Sequence, residues 1–191
     1  MLRMTVSSFT PLLEANRRLK IIQLFRDPRA VIHSRRYSRN YPLEHTSGTL
    51  ERALCDKMMQ DYIATVKLKK LFPDRIFILF YEDIAENASG RIYQLLEHIG
   101  IAHNRSEVET LTEIKVNLAP AEKGISFRKQ REANNTVWWR HFIDWKDTLN
   151  IQSSCSMVMS RLGHRIFNSE EELRNISIAA FTSSDFQDMY I

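Results

Sequence analysis

Residues 20–36 read Lys-Ile-Ile-Gln-Leu-Phe-Arg-Asp-Pro-Arg-Ala-Val-Ile-His-Ser-Arg-Arg. From Leu19 to Phe25 the run is short, apolar and partly β-branched, the pattern of a strand buried in a parallel sheet. It stops abruptly at Arg26-Asp27-Pro28. Aspartate is a good N-cap and proline is at home in the first helical position, so a helix is predicted from Pro28 to about Arg39. The product is a strand–turn–helix with almost no loop. Arg26 then stands at the C-terminal end of a strand, where open α/β sheets place their ligands. The helix after it turns its first amides toward the same crevice, which favours an anion. Ser34 lies two turns into that helix and can turn its hydroxyl to the same ligand. A guanidinium and a hydroxyl converging in this way make a candidate phosphate site. The plainer alternative is that Asp27-Pro28 only caps a helix and Arg26 pairs with a carboxylate.

Outward from this unit, Leu50, Leu54, Met58, Tyr62 and Val66 recur at helical spacing, so an amphipathic helix is predicted from Leu50 to about Leu71. Phe72-Pro73-Asp74 ends it. A second buried strand follows over Arg75–Tyr81, and then Glu82-Asp83. Further helices are predicted over Ser89–Ile99, closed by Gly100, over Glu107–Glu113, and over Asp147–Leu162, closed by Gly163. Residues 115–136 are polar and basic and read as a long loop; from Ser169 the chain reads as an irregular tail packed on the surface. Tyr81, Glu82 and Asp83 read as residues that cap the next helix and fix the strand end, and Trp138, Trp139 and Trp145 as core packing. Strands alternating with helices indicate α/β with a parallel sheet and right-handed crossovers. Two strong strands make an unusually small sheet, which suggests that strands are missing upstream.

The chain has 191 residues, 43% hydrophobic and 26% charged, enough for one domain over 1–191 with a real core. The formal net charge of +4 suits an anionic ligand or a polyanionic substrate. No zinc-finger, RRM or KH pattern points to nucleic acid. No stretch reaches the length of a signal-peptide core or a transmembrane span. Four N-x-S/T sequons, at Asn87, Asn104, Asn134 and Asn175, lean toward a lumenal protein. Cys55 and Cys155 are either one bridge across a long loop or two buried thiols. No cluster has the spacing of metal ligands.

Residues 20–36 resemble the 3′-phosphate-binding motif of the sulfotransferases, in which an arginine after the strand and a serine eight residues later hold the 3′-phosphate of the sulfate donor PAPS. Arg26 and Ser34 have that spacing. Phe80-Tyr81-Glu82-Asp83-Ile84-Ala85 is similar to the family's R-Y-E-D-L-A segment, with Phe80 where arginine is usual. Leu162-Gly163-His164-Arg165-Ile166 and Ser169–Asn175 look like the C-terminus of the Golgi galactose/N-acetylgalactosamine 6-O-sulfotransferases of keratan and chondroitin, and Cys55 and Cys155 fall where that group has cysteines. The resemblance implies a sulfotransferase-type, P-loop-like parallel sheet flanked by helices, here without its first strand and its 5′-phosphosulfate loop. It implies a PAPS-dependent carbohydrate sulfotransferase, with PAP as product and no metal. A sugar hydroxyl, the C6 hydroxyl of galactose or N-acetylgalactosamine, would be the acceptor.

Ser126-Phe127-Arg128 and Trp139-Arg140 look like the family's basic loop and Trp-Arg pair. Arg128 is therefore the candidate for a second contact to the 3′-phosphate, with Arg131 the alternative because the spacing is about two residues longer than usual. The resemblance also implies a glycan or glycosaminoglycan acceptor, the Golgi lumen, and a membrane anchor in a full-length form that is absent from this chain. It names no catalytic base. Two other readings remain: a short form that binds PAP without catalysing, and an unrelated basic α/β module for a polyanion.

Overall fold

The computed structural model describes residues 5–36, 49–117 and 136–182. Strand β1 (Ile21–Phe25) pairs in parallel with β2 (Ile76–Phe80), in register from Ile21 opposite Ile76 to Phe25 opposite Phe80. Between them the chain passes through helices α2 (Pro28–Arg36) and α3 (Thr49–Leu71). Before β1 come a 3-10 turn, Val6–Phe9, and a short helix α1 (Thr10–Ala15). After β2 come α4 (Tyr81–Glu86), α5 (Ala88–Ile99) and α6 (Arg105–Asn117). A second 3-10 turn, Trp138–His141, leads to α7 (Trp145–Arg161) and a final short helix α8 (Glu170–Arg174). This is an α/β fold, a parallel pair of strands flanked by helices, as the residues predict.

The main core lies where α2, α3 and α7 meet the C-terminal ends of the strands. Phe25, Ile32, Phe80, Ile151, Val158 and Leu162 are buried together there. Cys55 of α3 and Cys155 of α7 are disulfide-bonded inside it, with Cα atoms 5.2 Å apart. That settles the choice between bridge and thiols for the bridge. A smaller cluster of Val6, Leu13, Leu68 and Ile76 seals the other end of the strands.

Two glycines end helices where only glycine is unstrained. Gly100 (φ 79°) closes α5, and its amide bonds back to Leu96 and Glu97. Gly163 (φ 74°) follows α7, and a β-carbon there would collide with the backbone oxygen of Thr182. That close approach lets Gly163 and Arg165 pair with Thr182 and Ala180.

Several elements differ from expectation: α1 and α4 were not predicted, and β2 ends at Phe80. β1 forms, but its face bearing Ile22 and Leu24 is 46% and 53% exposed, because no other described element covers it. α6 begins earlier than predicted, since the Asn104 side chain accepts from the Glu107 amide while Glu107 reaches back to the Asn104 amide, a reciprocal cap. The segment after Ser169 is not a surface tail throughout. Ser169 caps α8, and Leu173 is fully buried in the main core.

Candidate anion-binding site

The residues that follow the two strands stand side by side because the strands are parallel and in register. Arg26 and Asp27 leave β1 as Tyr81 and Glu82 leave β2. Asp27 caps α2 as predicted, its Oδ1 accepting the Arg29 amide at 2.8 Å and its carbonyl the Val31 amide. The anion at this helix start is therefore the protein's own carboxylate.

A buried ion pair anchors that cap. Arg29 donates from Nε to Asp27 Oδ1 at 3.0 Å and from Nη2 to Oδ2 at 2.7 Å. Its Nη1 donates to Gln152 Oε1 on α7 at 2.8 Å, and Gln152 exchanges two 2.9 Å bonds with the backbone of Phe167. The Arg29 guanidinium also lies 4.7 Å from the Phe167 ring. Burial pushes the Asp27 carboxyl up, but the Arg29 charge and hydrogen bonds outweigh it, so the group sits below its ordinary range. The start of α2 is thus fastened to α7 by charge and hydrogen bonds in a dry setting.

Arg26 is treated differently. It is half-buried, and its guanidinium lies over the Tyr81 ring at 4.1 Å. Its Nε is sealed from solvent and meets no hydrogen-bond partner among the described residues. Among the described residues Arg26 forms no ion pair with a carboxylate. Ser34 stands on the solvent-facing side of α2, one turn beyond Ala30 and Val31, and is exposed. Among the described residues no hydrogen bond joins Ser34 to Arg26.

Glu82 is an acid that feels the charge of this arginine. Its Oε1 accepts the Asp27 amide at 2.9 Å, which ties the end of β2 to the end of β1. Its Oε2 is buried without a partner among the described residues. Burial and the Asp27 charge push the Glu82 carboxyl up to about 7, against the pull of the Asp27 amide and Arg26. Glu82 fixes the strand end, as predicted, but it does not cap α4. Its neighbour Asp83 also turns away, to Arg91 on α5 at 2.6 Å.

The model of the sulfotransferase domain matches residues 3–152. The chain belongs to the sulfotransferase domain family. Among its relatives, carbohydrate sulfotransferase 1 of Mus musculus is 26% identical over 183 residues, covering 88% of this chain and 44% of that protein. Carbohydrate sulfotransferase 6 of Homo sapiens is 25% identical, covering 84% and 45%. Carbohydrate sulfotransferase 5 of Mus musculus is 27% identical over the same shares. The chain thus spans less than half the length of these relatives.

Arg128 and Arg131 lie outside the described residues, as does Asn134. Arg140, of the pair that resembles the family's Trp-Arg, is fully buried. It donates to the carbonyls of Leu173, Ile178, Glu172 and Asn175 and so clamps the segment after α8. Burial and the Arg29 charge lower it to about 10. Trp139 is core, as predicted, while Trp138 packs on Phe142 and His141. His164, missed by the sequence reading, is buried with Nδ1 3.8 Å from Asp27 Oδ2, and burial holds it below the ordinary histidine range. A lone histidine carries no sequence signal of such burial. Among the described residues no three His, Cys, Asp or Glu side chains converge as a metal ion requires.

Proposed function

We propose that this chain carries the 3′-phosphate grip of a carbohydrate sulfotransferase, with Arg26 and Ser34 holding the 3′-phosphate of PAPS and Arg128 adding a second contact. The observation that carries this is Arg26: a cation at the C-terminal end of a parallel strand, braced on Tyr81, with a buried Nε that no described group satisfies. An unpaired buried donor is costly, and an anion beside the guanidinium offsets that cost. The family membership and the carbohydrate sulfotransferase relatives support the donor and the substrate class.

In the reaction, a sugar hydroxyl oxygen attacks the sulfur of PAPS in line. The bond from sulfur to the 5′-phosphate oxygen breaks, PAP leaves with the electron pair, and the hydroxyl proton passes to a base that is not assigned. The protein's work is positioning and charge neutralisation, as in phosphoryl transfer. The acceptor is the C6 hydroxyl of galactose or N-acetylgalactosamine in a keratan- or chondroitin-type glycan. The setting is the lumen of the Golgi apparatus, a reading supported by the Cys55–Cys155 bridge, which needs an oxidising compartment, and by exposed sequon asparagines at 87, 104 and 175. No described helix is long and apolar enough to cross a membrane. The open Ile22–Leu24 face of β1 is one that a further strand and its helix would cover.

The test is transfer of labelled sulfate from PAPS to desulfated keratan and chondroitin by the chain and by a longer form carrying upstream sequence. Label at C6 of galactose or N-acetylgalactosamine supports the reading. Label that never exceeds the protein-free blank in either form overturns the enzymatic part of it.

A further inference from the structure

Glu82 is a carboxyl group that the reaction above does not use, and its surroundings give it a task. Its Oε1 accepts the Asp27 amide, which holds the group at the strand ends. Its Oε2 is buried with no donor among the described residues. An ionised oxygen in that position lacks both water and partner, which is costly; a protonated one carries no charge to solvate.

The charges around it come from every packed side. Asp27, at the start of α2, opposes ionisation, and Arg26, at the end of β1, favours it. Arg29 is already committed to Asp27, and His164 stands beside Asp27 rather than Glu82. On its own helix Asp83 is neutralised by Arg91 of α5. Among the described residues named here, Arg26 is thus the cation not already held in an ion pair.

Resting on the reading of Arg26 as a phosphate ligand, we propose that Glu82 is a positioning residue that must be protonated when Arg26 holds the phosphate, so that the chain takes up a proton on binding PAP. A phosphate dianion engages Arg26 and brings two negative charges to the same strand ends. Both effects favour the neutral carboxyl. The neutral group then holds the Asp27 turn in place without repelling the ligand.

The sign follows from linkage. Free Glu82 titrates near 7 and bound Glu82 higher, so affinity is greatest below pH 7 and falls as pH rises above it. A phosphate monoester is already dianionic there, its second pKa being about 6, so the ligand adds no slope of its own. The limiting slope is about tenfold in affinity per pH unit.

The test is calorimetric titration of PAP at pH 7, 8 and 9. At pH 7.5 it is repeated in two buffers of different ionisation enthalpy, which counts protons directly. Wild type is expected to lose about threefold or more in affinity per unit and to take up a fraction of a proton. Glu82→Gln is expected to give a flat profile and no uptake. Equal slopes in the two proteins, or no uptake by wild type, would overturn the role of Glu82; the wild-type count decides alone if the variant does not fold. Absence of PAP binding at pH 6.5, or binding indifferent to Arg26→Ala, would instead remove the phosphate site itself.

Discussion

Breaking the Cys55–Cys155 bridge should cost the domain about 3–4 kcal/mol. The bridge joins residues 100 apart. Closing a loop of that length in the unfolded chain removes entropy equivalent to about 4.7 kcal/mol at 25 °C on the chain-entropy model, and measured effects fall somewhat below it. On the native side the Cα separation of 5.2 Å is one that a bridge spans without moving the backbone. α3 and α7 pack against each other whether or not the bond exists, with Leu54, Ile151 and Val158 buried around it. The helices should therefore stay docked after reduction, and the loss should lie mainly in the unfolded state. The assay is urea unfolding followed by tryptophan fluorescence, with and without a phosphine reductant, and on a Cys55→Ala/Cys155→Ala variant. With a slope of about 2 kcal/mol per molar urea, the midpoint should fall by about 1.5–2 M. A fall under about 0.5 M, or thiols that titrate in the unreduced folded protein, would refute the reasoning.

Asp27→Asn leaves the fully buried Arg29 charge without its partner and should cost about 3–5 kcal/mol, read as a loss of urea midpoint. In wild type the Asp27 carboxyl lies below its unfolded value, so this stability is present above about pH 4 and lost as pH falls further; acid unfolding curves check it. Glu82 acts with the opposite sign. Its carboxyl is raised to about 7, so wild type loses up to about 3 kcal/mol as pH rises from 4.5 through 7. Glu82→Gln should therefore be the more stable protein at pH 8 and level with wild type at pH 4, measured by thermal melting. Arg140→Met strips four carbonyls of their donor and should cost about 3 kcal/mol, with amide exchange between 173 and 178 rising more than exchange in α3.

Both strands, the start of α2 and the ends of α5 and α7 were legible because each is written locally. Ile21–Phe25 and Ile76–Phe80 are apolar runs, Asp27-Pro28 is a cap, and Gly100 and Gly163 are breakers. The place of Arg26 at the end of a strand was legible for the same reason, since it follows from the run before it. What was not legible depends on residues far apart in sequence. Nothing near Arg140 says that four carbonyls from 172–178 will surround it, and Arg29 reads as a surface arginine until Gln152 and Phe167 arrive 123 and more residues later. Glu82 looked like a helix cap because its partner, the Asp27 amide, lies across the sheet rather than along the chain. The disulfide was open for the same reason: only the packing of α3 on α7 brings the two sulfurs together.

The measurement that bears most directly on the phosphate site is calorimetric titration of PAP, beside adenosine 5′-phosphate, into wild type and Arg26→Ala at pH 6.5. Arg26 gripping a 3′-phosphate means that wild type binds PAP and binds the ligand lacking that phosphate at least about tenfold more weakly, the loss of one charge-assisted contact. Arg26→Ala should then lose most of that preference. A folded wild type that binds both ligands equally, or an Arg26→Ala variant that keeps the full preference, would contradict it.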